Sequence, residues 1–220
     1  MSHHRAPSGL MAAQKKSPIA QEERDEDERA LWKWLASRFD ARRLVFIDES
    51  GFSISMDGLR ARAPRGKRAY GRVPRNRGKN QTLIASITLE GGMGECMCVE
   101  GAIRQRGLLE AYVEKALAPS LVEGQVVVLD GLGAHRTKRV RELIEVRGCD
   151  LVFLPAYSSP DLNPIEEAFS KIKHLVSKAA ERTREALNEA IAQALIAISP
   201  QDVVGWFAHC GCYESQDQYS

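Results

Sequence analysis

The sequence of 220 residues holds no apolar run that approaches the ~20 residues needed to cross a bilayer. Met1 to Ala20 is basic and lacks an apolar core of signal-peptide length. These two absences predict a cytoplasmic chain with no membrane partner. Cysteine is scarce and odd in number: Cys96-x-Cys98, a lone Cys149 and Cys210-x-Cys212 make five. Neither pair has the two-residue gap usual in zinc sites, and no histidine cluster completes a ligand set. Reduced structural thiols are therefore expected. Internal repeats and low-complexity linkers are also missing. What is left is one domain of ordinary globular composition, 44% hydrophobic and 27% charged.

Acidic residues are absent from one stretch in particular. Arg60, Arg62, Arg65, Lys67, Arg68, Arg72, Arg75, Arg77 and Lys79 follow one another with no acid among them, nine of the 31 basic residues. The net charge of +2 thus divides into an intensely basic segment and a remainder of 22 basic against 29 acidic residues, −7. A mildly acidic body with one basic segment predicts a localised polyanion contact. The plainer alternative is a solvated loop that keeps the protein soluble. Pro64, Gly66, Gly71, Pro74 and Gly78 make the segment a loop or hairpin rather than a helix.

Elsewhere the hydrophobic periodicities set out the elements. After a tail to about residue 22, a helix is predicted over 24–39. A short apolar run then ends in an acid, Arg43 to Asp48, with a turn at Glu49-Ser50-Gly51. Residues 81–89 and 95–101 bracket Gly91-Gly92 as a β-hairpin. A helix over 108–117 precedes a second apolar run capped by an acid, Gln125 to Asp130. A helix over 137–146 leads to a third buried strand, 150–154. Helices follow from Asn163, over 183–198, and from the capping sequence Ser199-Pro200-Gln201-Asp202. The expected division is a tail and helix over 1–40, one domain over 41–208, and a C-terminal tail over 209–220.

A meander followed by two β-α crossovers gives an α/β fold. Its mixed sheet has a three-strand antiparallel part plus two parallel strands, with helices on both faces. Right-handed crossovers set the strands ending at Asp48 and Asp130 side by side, so both aspartates emerge at the carboxyl edge of the sheet. The helix begun at Asn163 follows the next strand, which lets Glu166 overhang that edge. Asn163 suits the N-cap, Pro164 the first helical position, and Asn163-x-x-Glu166 also reads as a capping box. Either aspartate taken alone is equally well a strand cap. Three converging carboxylates, however, repel one another unless a cation lies between them. Hard oxygen donors of this kind suit Mg²⁺ or Mn²⁺, and two such ions about 4 Å apart cleave phosphodiesters.

Three segments carry a resemblance: Phe46-Ile47-Asp48-Glu49-Ser50-Gly51-Phe52, Val128-Leu129-Asp130-Gly131-Leu132-Gly133-Ala134-His135, and Leu154-Pro155-Ala156-Tyr157-Ser158-Ser159-Pro160-Asp161-Leu162-Asn163-Pro164-Ile165-Glu166. Together they resemble the bacterial insertion-sequence transposases of the mariner-related DDE superfamily, from about Arg43 to Trp206. The resemblance implies a ribonuclease H-like fold and a catalytic, metal-binding triad of Asp48, Asp130 and Glu166. It further implies two Mg²⁺ or Mn²⁺ ions, cleavage and strand transfer of double-stranded DNA, a homodimer on that DNA, and work at the nucleoid. His135 follows the family pattern and is expected to touch DNA or a carboxylate rather than a metal. Gly131 departs from the asparagine usual after the second acid. Glu49 and Glu167 flank the triad and should point elsewhere. The roughly forty residues before Asp48 are too few for two of the family's helix-turn-helix modules, so the chain reads as the catalytic part alone, with the remainder either in an upstream reading frame joined by frameshifting or lost. Another ribonuclease H-like nuclease and a non-catalytic DNA-binding protein are the alternatives.

Overall fold

Apolar runs without polar alternation form the middle of the sheet, because both of its faces are covered. The computed structural model describes residues 26–36, 38–53, 80–101, 106–130, 137–155, 161–179 and 183–213. Among these residues five strands, β1 (Leu44–Phe52), β2 (Gln81–Thr88), β3 (Gly92–Glu100), β4 (Val126–Leu129) and β5 (Asp150–Phe153), lie in the order β3-β2-β1-β4-β5. The β3-β2-β1 part is antiparallel, and β4 and β5 continue from β1 in parallel. The mixed sheet is the expected one.

Among the described residues six α-helices flank it: α1 (Glu26–Ala36), α2 (106–120), α3 (Lys138–Glu145), α4 (Pro164–Ala179), α5 (Arg184–Ile196) and α6 (Pro200–His209). The α2 helix runs from Arg106–Tyr112 through a π-helical turn, Val113–Leu117, to a last turn at Ala118–Ser120. Strand alternation sends Leu44, Phe46, Val126 and Val128 into a core with α1, α4, α5 and α6. Val45, Ile47, Val127 and Leu129 enter a second core with α2 and α3. In the first core Phe46 and Phe207 meet edge to face at 5.5 Å between ring centroids. Burying one such ring contributes about 1.5–3 kcal/mol.

Three local expectations need correction. The chain does not turn at Glu49-Ser50-Gly51. It stays extended to Phe52, because Glu49, Ser50, Gly51 and Phe52 pair with Ile84, Leu83, Thr82 and Gln81 of β2. The second hairpin strand begins at Gly92 rather than residue 95. A bulge lets Gly94 and Glu95 oppose the single Ser86, and the freed Glu95 carbonyl accepts a hydrogen bond from the buried Tyr112 hydroxyl at 2.7 Å. A side chain at Gly94 would press on the Ser86 hydroxyl. Finally, α2 continues past Leu117 to Ser120, and the core takes in Cys210 and Cys212 beyond α6. Among the described residues no helix is long and apolar enough to cross a membrane.

Candidate active site

Asp48 stands where β1 loses one of its two neighbours. Ile47 is the last β1 residue paired with β4, opposite Leu129, whereas Asp48 still pairs with Ala85 of β2. Asp130 follows Leu129 directly. The two aspartates therefore stand at matching positions, each one residue beyond the last β1–β4 pair, on adjacent parallel strands whose spacing is about 4.8 Å. Alternation puts Asp48 on the face of Leu44 and Phe46, which α4 covers. The α4 helix is anchored there by the buried Ile165, Ala168, Phe169, Ile172 and Val176, and Glu166 lies in its first turn.

Charge reports the proximity of the three acids. The Asp48 carboxyl is pushed up to about 8, first by burial and then by the negative charges of Glu166, Asp130 and Glu49. The Glu49 backbone N–H, donating to Asp48 Oδ1 at 2.7 Å, opposes that rise. Glu49 follows the opposite strand alternation from Asp48, as expected. Glu167 is bound to His209 of α6, whose pKa this contact raises.

The asparagine half of the expected capping box is not made. The Asn163 side chain, fully buried, donates from Nδ2 to Oδ2 of Asp48 at 3.0 Å. Its Oδ1 has no hydrogen-bond partner, and its backbone carbonyl accepts the Glu166 N–H at 3.1 Å. Asn163 is thus a site residue that sequence reasoning placed only as a cap. The signal was its type: an asparagine amide offers donors that an aspartate cap lacks.

His135 and the basic residues Arg60, Arg62, Arg65, Lys67, Arg68, Arg72, Arg75, Arg77 and Lys79 lie outside the described residues. Among the described residues, no three His, Cys, Asp or Glu side chains stand close enough to enclose a metal ion as they are. The donor chemistry nevertheless fits a divalent ion. All three groups are hard oxygen donors, and the repulsion that adds to burial in raising Asp48 is what a dication among them would relieve.

A sheet ordered β3-β2-β1-β4-β5, with acids at two neighbouring strands and a third on the overhanging helix, has the ribonuclease H-like architecture. The chain belongs to the DDE superfamily endonucleases, whose pattern matches residues 43–188. No curated protein sequence matches it. Among solved structures it is similar to the Mos1 transposase paired-end complex with left transposon end, at TM-score 0.70 and 16% identity, over 94% of this chain and 64% of that one. The mariner Mos1 paired end complex with Mg gives TM-score 0.67 and 16% identity, over 96% and 64%. The catalytic domain of Mos1 mariner transposase gives 0.60 and 14%, over 91% and 93%. At such identities the likeness is one of fold. The chain spans 64% of the length of the paired-end transposase chains.

Proposed function

We propose that this chain carries the catalytic domain of a transposase, over residues 41–208, and that Asp48, Asp130 and Glu166 are its catalytic triad. The supporting observation is the placement of Asp48 and Asp130 at matching positions on parallel neighbours, beneath the helix start that carries Glu166. The three carboxylates would hold Mg²⁺ or Mn²⁺, as a pair of ions. Bound there, the ions supply Lewis acidity that activates the attacking hydroxyl and stabilises the leaving oxygen. The chain's own part is to hold the acids in alignment. The positive end of the α4 dipole favours anions at Glu166. The basic segment from Arg60 to Lys79 would follow the phosphate backbone of duplex DNA, with His135 beside it. The reaction frees a 3′-hydroxyl, which then attacks target DNA. The working form is a homodimer on DNA in the nucleoid.

Nicking of supercoiled plasmid with Mg²⁺ tests the reading. Asp48→Ala, Asp130→Ala and Glu166→Gln should each abolish it, while Glu166→Gln leaves the melting temperature nearly unchanged. Undiminished nicking in the three variants would sink the assignment. A salt titration of duplex affinity tests the basic segment. If about five cations engage phosphates, log K falls with log salt at a slope near −4 to −5. Alanine at Arg65, Lys67, Arg68 and Arg72 should flatten that slope by several units.

A further inference from the structure

We propose that Asn163 is a positioning residue that ties the first acid to the third: its side-chain amide holds the Asp48 carboxylate while its backbone carbonyl holds the amide of Glu166. The inference rests on reading Asp48, Asp130 and Glu166 as the metal-binding acids. The amide bond spans 115 residues of sequence, from the middle of β1 to the first residue before α4, at 3.0 Å. The backbone bond to Glu166 is 3.1 Å. One residue therefore contacts both acids through different atoms.

The unpartnered Oδ1 is the second, independent observation. An N-cap asparagine ordinarily turns its oxygen to a helix N–H, which satisfies an orphan donor. Here the oxygen is buried with no hydrogen-bond partner, and the amide faces Asp48 instead. The local bond has been given up for the distant one. The backbone enforces this orientation from both sides. Pro164 restricts the residue before it to extended conformations, and the buried Leu162 and Ile165 fix the chain on either side.

The two Asp48 oxygens are then each held by one donor, Oδ1 by the Glu49 N–H at 2.7 Å and Oδ2 by Asn163. Two donors on two oxygens fix the rotation of the carboxylate. Each oxygen keeps a further lone pair for a cation, so Asn163 orients Asp48 without displacing what it binds. Groups that orient a ligand in this way typically change metal affinity 10–100-fold when removed.

The test uses Mn²⁺ alone as probe, with free ion measured by electron paramagnetic resonance, on wild type, Asn163→Ser and Asn163→Ala. Serine is a good helix cap but too short to reach Asp48. Asn163→Ser should weaken Mn²⁺ binding about 10–100-fold while leaving the melting temperature unchanged or raised. A residue serving only the helix start gives the opposite result. Asn163→Ala would lower the melting temperature, Asn163→Ser would restore it, and both would bind Mn²⁺ like wild type, which overturns the inference alone. Wild type that takes up no Mn²⁺ overturns the metal reading, and the inference with it. Labelled wild type gives a reading that needs no variant at this position. The Asn163 side-chain amide protons should exchange slowly, and should lose that protection in Asp48→Ala. Identical protection in the two proteins removes the contact.

Discussion

Two helices of this protein start with the same four-residue grammar and end in opposite electrostatics. Ser199-Pro200-Gln201-Asp202 opens α6, and Asn163-Pro164-Ile165-Glu166 opens α4. At α6 the box closes on itself. Asp202 donates its N–H to Ser199 Oγ at 3.2 Å, and Ser199 donates its N–H to Asp202 Oδ2 at 2.8 Å. Lys171 of α4 then lies 2.5 Å from the same oxygen. Lys171, followed by Ser199, holds the Asp202 carboxyl down to about 2. At α4 the capping side chain leaves its helix for Asp48, whose carboxyl is pushed up to about 8. The local pattern is shared. What lies across from it differs: a lysine in one case, a gathering of acids in the other.

The largest expected separation is in cleavage. Glu166→Gln should abolish Mg²⁺-dependent plasmid nicking, and Asp202→Asn should leave it intact. Equal loss in both would mean that the two helix starts serve the fold alike. The next is in pH. Asp48 has a folded pKa above its unfolded value near 4, so its contribution to metal-free stability is fully present below pH about 4 and lost as pH rises toward 8. Asp202 has the reverse sign. Its contribution is present above pH about 4 and lost as pH falls toward 2. Melting temperatures across pH should show both limbs, with Asp48→Asn erasing the alkaline one and Asp202→Asn the acid one. Because a divalent ion must displace the Asp48 proton, Mn²⁺ affinity should climb from pH 6 to about 8, by up to about tenfold per unit, and then level. A flat profile would break the link between Asp48 and the metal. Smallest is the cost of the cap at α6. Ser199→Ala should lose about 1 kcal/mol, or about 2–4 °C in melting temperature, with Mn²⁺ binding unmoved.

Much of this was legible in the sequence, for identifiable reasons. Val126 to Leu129 reads as a buried strand because every residue is apolar, and it is buried at every position. The α6 box was readable because all its partners lie within four residues, apart from Lys171. The two aspartates were placed by the ends of apolar runs, and Glu166 by the helix start at Asn163-Pro164. What stayed hidden depends on pairing at a distance. β1 runs on through Gly51 only because β2, beyond the basic segment, supplies a ladder for it. The bulge at Gly94 and Glu95 answers to Ser86 and to Tyr112 of a later helix. Asn163 has the right identity for a cap, and nothing within its own helix reveals that its amide belongs to Asp48.

The continuation of β1 past Asp48 has a mechanical consequence. Asp48 sits within a strand clamped to β2 on both its N- and C-terminal sides, from Val45 to Phe52. Asp130 is held by the ladder only through the residues that precede it, ending at Leu129. The site thus has one acid bolted mid-strand and one standing at a strand's end, so β1 is the fixed reference from which the position of the other acids is set. Backbone amides should record the clamp directly, with slow hydrogen exchange persisting beyond Asp48 to Ser50.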